Sequence, residues 1–477
     1  MKVVHVSLRA TDAANAAGRP ALTPELLAVT GARYSRSDEG LDAILAKIDP
    51  DNPDKSVDSI FKMVDYGHQS IADMVPVALF IDGVSLLLAY LVWSLCPTAG
   101  GQESSTRYIC MRRSPAAANV TGADGLVGAD ALGLPDDTRA DWEAAMSRAF
   151  AAYETAVTFW EGIADTHPEL SRIPRKLLDD PGERARKTVA RMRRNYAFDR
   201  ARYFLPVAAR TNLMLVQSAR AWVTLASHLL SHPLPEARTL GAAIRGELAL
   251  VAPRLLKHAV EKPSLWAGQA AEWTAWRDVA DARYLDEYAI EFGKFERESG
   301  VNVGVWEPFG GAGKAFAGDL VYHDNRYAPI GETLRRTTVR FSWQAVAFAE
   351  IRDLNRHRTG TKYCPLLPVG FYGALDQLPA GEYTYNLLIH QSGEASLHAR
   401  RILQSGEPTG IYHTLLGTQF PFEHTTTADK FLYEAELRTG VGAHFRYAAH
   451  LKDALALWYE RYPDTRGLVL EGSAEPE

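Results

Sequence analysis

The chain has 477 residues, enough for two or three domains, and its 47% hydrophobic and 23% charged residues are those of an ordinary globular protein. A net charge of −6 argues against a dedicated nucleic-acid binder but leaves room for a local basic site facing a small anion. Three cysteines, Cys96, Cys110 and Cys364, without a C-x-x-C pair, exclude a disulfide framework and suit a reducing cytoplasm, where the chain is expected to reside.

In chain order, Met1 to Val6 lacks the apolar core and cleavage site of a secretory leader, so none is expected. Residues 74–96 carry one charge, Asp82, over about the length a bilayer requires. Pro76 and the pair Asp82-Gly83 interrupt this run, which reads as a buried strand over 75–81 and a buried helix over 84–93 rather than a membrane span. Residues 115–135, rich in Ala, Gly and Asp, read as a surface excursion. Trp142, Met146, Phe150, Tyr153 and Val157 recur near helical spacing and predict a helix over 138–165. A second helical run is expected over 213–230, and a third places Leu240, Ile244, Leu248, Val251 and Leu255 on one face.

Glycines surround Pro308 between 299 and 318, and this segment is the expected linker. Beyond it, 334–352 reads as strand then helix, and a final helix over 445–462 aligns Tyr447, Leu451, Leu455 and Trp458. Both halves thus offer strand, helix, polar cluster and further helices. The expected organisation is a distant internal duplication, 1–298 and 319–477 joined by 299–318.

Gly311-Ala312-Gly313-Lys314 imitates a phosphate loop, but Pro308 occupies the required glycine position and Ala315 replaces the Ser/Thr. The basic run 172–202 is interleaved with Asp179, Asp180, Glu183 and Asp199, as on a solvated helix face. Two clusters are sharper. Gln102-Glu103-Ser104-Ser105-Thr106-Arg107-Tyr108 offers hydroxyls and an arginine, which together can hold a phosphate by charge-assisted hydrogen bonds. Arg356-His357-Arg358 concentrates positive charge suited to an anionic cofactor or a developing oxyanion.

These clusters carry a resemblance to flavin-dependent thymidylate synthases, whose motif runs R-H-R-x7-S-x-R with a Glu two before the Ser. Gly67-His68-Gln69-Ser70 resembles the family's upstream His segment, and Glu103 to Tyr108 resembles the end of the motif. Ala201-Arg202-Tyr203-Phe204-Leu205-Pro206 is similar to the downstream Ala-Arg-x-x-Leu-Pro element, and Ser218-Ala219-Arg220 to the start of the following helix. The departures are complementary. In the first half Leu95-Cys96-Pro97 stands where R-H-R is expected. In the second half Arg356-His357-Arg358 is intact, but Leu366 and Pro368 replace the Ser and Arg, and the late arginine appears as Arg438 with His444 beyond it.

The resemblance implies an α/β (α+β) fold, two copies of a mainly antiparallel sheet with packed helices, and one composite site drawing on both halves. It implies FAD as cofactor, with NADPH and methylenetetrahydrofolate as co-substrates for methylating dUMP to dTMP. Another pyrimidine nucleotide such as UMP, or a non-catalytic flavin- or nucleotide-binding relative, are the alternatives. By this resemblance Glu103, Ser105, Arg107, Arg202 and Arg438 would bind substrate, with Ser105 and Arg438 taking part in catalysis. His68, Arg356, His357 and Arg358 would line the flavin. No metal, nucleic-acid or membrane partner is implied, and a homodimer with pseudo-tetrameric symmetry is expected.

Overall fold

The computed structural model describes residues 1–38, 40–49, 51–65, 69–111, 125–171, 173–283, 304–306, 316–380, 385–440 and 442–472. In chain order the elements that matter here are strands β1 (Lys2–His5) and β2 (Pro76–Ser85), helix α1 (Leu86–Leu95), strand β3 (Gly100–Glu103), and helices α2 (Arg139–Thr166) and α3 (Glu183–Ala201). Strand β4 (Arg210–Ser218) and helices α4 (Ala219–Leu230) and α5 (Pro235–Val251) follow. Then come β5 (Gly304–Trp306), β6 (Thr338–Ala347), α6 (Phe348–Asn355), β7 (Thr361–Tyr363), β8 (Gly370–Phe371), α7 (Asn386–Gln404), β9 (Thr418–Thr427), α8 (Ala428–Arg438) and α9 (Phe445–Arg461).

The chain forms two compact units. The first comprises Met1–Ser104, Ser114–Pro135 and Ala209–Glu272, and the second Ser105–Arg113, Asp136–Ala208 and Trp273–Glu477. The first unit holds a sheet of order β1-β2-β4-β3, and the second a sheet of order β5-β6-β9-β7 with β8 also on β9. Every pairing is antiparallel. The two orders are the same once strands are matched by role. A short leading strand pairs with a long strand that runs directly into a helix. A second long strand, again followed by a helix, lies next, and a short strand from the intervening segment closes the edge. Register slips near the end of the first long strand in both sheets, between Asp82 and Val84 and between Trp343 and Val346.

The compact units differ from the contiguous halves 1–298 and 319–477 because α2 and α3 complete their cores with residues from the second half. Trp142 Nε1 donates to the Tyr412 carbonyl at 3.0 Å, Trp160 meets Tyr385 edge-on at 5.4 Å, and Tyr203 meets Tyr372 at 4.8 Å. Each of these large rings is buried, and an aromatic face removed from water must find its cover wherever the chain supplies it. Of the expected linker 299–318, only 304–306 and 316–318 are among the described residues.

Helix α2 matches the periodicity over 138–165, and Trp142, Met146, Phe150, Tyr153 and Val157 are all buried. The expected strand and helix of 75–81 and 84–93 are present with shifted bounds. Gly83, at φ +75°, lets β2 pass through a bulge instead of breaking, and α1 begins only after Ser85. Ser85 caps α1 by accepting from Leu88 N at 2.9 Å, and Glu236 fixes it by accepting from its N and Oγ at 2.8 and 2.7 Å. No helix among the described residues is long and apolar enough to cross a membrane.

The expected helix over 213–230 is corrected. Its first part is strand β4, with Thr211, Leu213, Leu215 and Gln217 buried, and helix begins only at Ala219. Leu213-Met214-Leu215-Val216 is apolar on both faces, so the two-residue alternation that marks a strand is hidden. The excursion 115–135 is tied down where it is described: Arg210 N donates to Gly125 O at 3.0 Å, and Leu126 and Leu132 are buried.

Gly360, which leads into β7, has φ +67°, and a Cβ there would lie 2.0 Å from the Thr425 carbonyl oxygen. At Gly83 the nearest atom to such a Cβ is 3.7 Å away. Gly83→Ala should therefore cost only the left-handed backbone strain of about 1–2 kcal/mol. Gly360→Ala should lower the thermal midpoint clearly further. Equal midpoints for the two variants would contradict the close approach at Gly360.

Candidate active site

The segment after β3 turns back on itself. Ser105 O accepts the N–H groups of Tyr108 and Ile109 at 3.3 and 3.0 Å, and Ser105 Oγ accepts Arg107 N at 3.2 Å. This turn carries the Arg107 side chain to the last turn of α3, where Nε and Nη2 grip Asp199 Oδ1 and Oδ2 at 2.8 and 3.1 Å. Nη2 also donates to Gly442 O at 3.0 Å and Nη1 to the Tyr447 hydroxyl at 3.4 Å. These contacts engage four of the five N–H groups a guanidinium has. Burial pushes the Asp199 carboxyl up, but the Arg107 fork outweighs it and leaves Asp199 below the ordinary aspartate value.

Three residues later Arg202 is only 1% exposed. Its Nη1 donates to Asp353 Oδ2 at 2.9 Å, its Nη2 lies 3.7 Å from Glu350 Oε1, and the Tyr203 hydroxyl donates to that same oxygen at 2.7 Å. Both acids project from α6. Arg202, expected from the sequence to meet a nucleotide phosphate, has its guanidinium enclosed with the carboxylates of Asp353 and Glu350. Glu350 Oε2 has no hydrogen-bond partner among the described residues. Burial raises the Glu350 carboxyl to about 7, and Arg202 and Tyr203 offset only part of that. Burial pushes Asp353 up as well, but Arg202 and then Arg356 pull it well below the usual range.

Helix α6 ends in the Arg356-His357-Arg358 cluster, with Arg356 at its C-cap. His357 Nε2 accepts the Arg438 Nε–H at 2.7 Å, which puts the ring proton on Nδ1. Burial, followed by the neighbouring Arg438 and Lys362, holds this imidazole neutral. Lys362 donates to the backbone carbonyls of His357 and Thr359, fixing the loop. Arg438, the last residue of α8, donates Nη1 to the Tyr447 hydroxyl at 3.4 Å. No carboxylate among the described residues forms an ion pair with it.

One turn earlier on α8, Glu434 is buried with neither carboxylate oxygen hydrogen-bonded among the described residues. His424 Nδ1 lies 3.4 Å from it without bonding geometry. Burial raises Glu434 to about 7, against the pull of Lys362 and Arg438, and lowers His424 to about 3. His444 caps α9 by accepting Arg446 N at Nδ1, 3.2 Å, and its Nε2 meets Asp199 O at 3.0 Å, so this buried ring is satisfied as a neutral group.

Of the residues singled out in the sequence, the second unit thus brings Arg107 and Arg438 together at Tyr447, with Ser105 bonded to the Arg107 backbone and His357 to Arg438. Arg356 and Arg358 flank His357 on the same half-buried loop. Glu103 belongs to the first unit, where its carboxylate accepts Trp93 Nε1 at 3.1 Å. His68 lies outside the described residues. Cys96, in the Leu95-Cys96-Pro97 that replaces R-H-R, is 2% exposed, so apolar packing has taken over that position. The sequence missed Asp199, which reads there as one acid diluting a basic run, and Tyr447, which reads as one core position of a helix face.

Residues 21–254 match the family model described as thymidylate synthase complementing protein, the flavin-dependent thymidylate synthases. Over residues 21–254, just under half of its length, the chain is similar to this family. The match contains the motif pieces of the first half, and Arg356-His357-Arg358 and Arg438 lie beyond it. A UPF0159 protein of Thermoplasma acidophilum is 26% identical over 242 residues, 48% of this chain. The chain spans about half of that relative's length, 48%. A solved structure of a UMP/dUMP methylase from Streptomyces cacaoi, bound with 5-Br dUMP, is 17% identical with a TM-score of 0.32. That comparison covers 54% of this chain and 93% of the other.

The buried carboxyls make stability depend on pH in two opposite ways. Glu350 and Glu434 hold protons in the folded chain up to about 7, while unfolded glutamates release them near 4.5. The folded state binds more protons in that window, so these two residues make stability fall as pH rises through it. Asp199 and Asp353 act the other way: their contribution is present above the ordinary value of 3.8 and is lost as pH falls through their depressed folded values. The buried neutral histidines act in the opposite sense to the two glutamates. From about pH 5 to about pH 8 the denaturant midpoint should rise more steeply with pH, or fall less, in Glu350→Gln and Glu434→Gln than in the native chain. An unchanged slope in both variants would rule out the buried protons.

Proposed function

We propose that the chain methylates C5 of a pyrimidine nucleotide, dUMP to dTMP, as a flavin-dependent enzyme with one composite site. The observation that supports this reading is the meeting of Arg107 and Arg438 at the Tyr447 hydroxyl, each 3.4 Å away. One arginine comes from the family motif kept in the first half, the other from the element kept in the second. Two guanidinium groups at one neutral hydroxyl, with a carboxylate engaging only one of them, favour an anion.

In this reading Ser105 and the remaining N–H of Arg107 bind the nucleotide phosphate. Arg438, held in aim by His357 and Tyr447, sits at the pyrimidine edge and stabilises negative charge developing on a ring carbonyl. Arg356 and Arg358, cations on either side of a neutral imidazole, have the donor chemistry that suits the diphosphate of FAD. Bound there, FAD supplies the redox and one-carbon relay between methylenetetrahydrofolate and the nucleotide, with NADPH as reductant. Two copies of the fused chain would reproduce the family's four-copy assembly, and light scattering should then give twice the 52.6 kDa chain mass. The second reading is a nucleotide-binding relative without turnover, favoured by the Asp199 fork that engages most of Arg107.

Purified protein supplied with FAD, NADPH and methylenetetrahydrofolate should convert dUMP to dTMP, with UMP run in parallel. Arg438→Gln should lower kcat/KM by about 100-fold or more, the scale of removing one preorganised charge donor, with little change in thermal midpoint. Turnover of UMP alone would reassign the nucleotide. Flavin bound without turnover of either would sink the enzyme reading and leave the binding relative.

A further inference from the structure

Beside Arg107 the second unit contains a cleft of about 330 Å³, lined among others by Arg200, Tyr196, Phe445, Gln377 and Asn195. This volume lies at the small end of ligand pockets, which run from about 300 to 1,000 Å³, and suits a mononucleotide better than a dinucleotide. The guanidinium of Arg200 is clamped face-on, its Cζ 3.6 Å from the Tyr196 ring centroid and 4.4 Å from that of Phe445. Its Nη1 donates to Tyr196 O at 3.2 Å and its Nη2 to Gln377 Oε1 at 3.1 Å, while Nε has no partner among the described residues.

Arg200 therefore has neutral partners only. Asp199, its chain neighbour, is gripped by Arg107, and no carboxylate among the described residues forms an ion pair with Arg200. Two acids line the cleft: Asp199, held by Arg107, and Glu169, which is 68% exposed and faces His167 at 3.3 Å. Burial lowers the Arg200 guanidinium from its ordinary value, and the nearby Tyr196 and Asp199 offset only part of that. Arg202, in contrast, already has two carboxylates. A rigid, aromatic-clamped cation whose edge lines a cleft, next to a second arginine, is suited to planar recognition of a phosphate.

We infer that this cleft receives the phosphate of the nucleotide, a phosphomonoester, and that Arg200 rather than Arg202 supplies the second cation beside Arg107. The identity of the ligand rests on the nucleotide-methylase reading above; the anion site itself rests on the cleft. This placement puts the phosphate between Arg200 and Arg107, both of which line the cleft.

Calorimetric titration of dUMP and of inorganic phosphate into the full chain tests the assignment. Arg200→Gln should weaken both ligands by about tenfold or more, and Arg200→Lys should recover part of the loss. Arg200 is packed and its loss could disturb folding, so Asn195→Asp serves as a second variant. Asn195 is half-exposed, and a carboxylate there should weaken both ligands without moving the thermal midpoint. If dUMP binds and both Arg200→Gln and Asn195→Asp bind it like the native chain, the cleft assignment falls while the methylase reading stands. If phosphate binds in an Arg200-dependent way but dUMP does not, the cleft stands and the methylase reading falls. Binding of neither ligand to the native chain overturns both.

Discussion

A guanidinium enclosed to 1% exposure must have its counter-charges brought to it, and Arg202 organises the second unit in this way. It draws Asp353 and Glu350 from α6 and lies one residue before Tyr203, whose hydroxyl completes the set. Helix α6 is thereby fixed to the chain that leaves α3. The consequences reach the site from two directions. Asp199, which orients Arg107, sits in the last turn of α3, and the Arg356-His357-Arg358 loop starts where α6 ends. Removing one member of such a buried group leaves the others uncompensated, so the network specifies a single arrangement of both.

Much of the fold could be read from periodicity. Helix α2 was legible because its buried residues recur on one stripe, and α1 because a long apolar run follows a strand. Strand β4 was not, since Met214 and Val216 are as apolar as the inward-facing Leu213 and Leu215. The bounds of β2 were misread because a bulge at Gly83 lets a strand continue where composition suggests a break. The site was legible in its cations, which the motifs mark, and illegible in their partners. Arg107 finds Asp199 across 92 residues and Tyr447 across 340, and Arg202 finds Asp353 across 151. A sequence gives the charges but not these closures, and it is the closures that decide which arginine faces a ligand. Arg202 has the motif and is enclosed, whereas Arg200 has no motif and lines a cleft.

The shared order of the two sheets adds what low identity between the halves could not supply. Four strand roles, two strand-to-helix junctions and a slip in register at the same place recur in both. The transfer runs one way: α2 and α3 of the first half join the second unit, whose residues cover their aromatic faces, while the first unit draws on no residue beyond Glu272. The two sheets therefore meet different packing demands.

Four of the five N–H groups of Arg107 are already held, so in the proposed reading the guanidinium presents a single donor in a fixed direction. The planar fork cannot turn without releasing Asp199, so an anion arriving there would meet one aimed donor rather than a mobile cation.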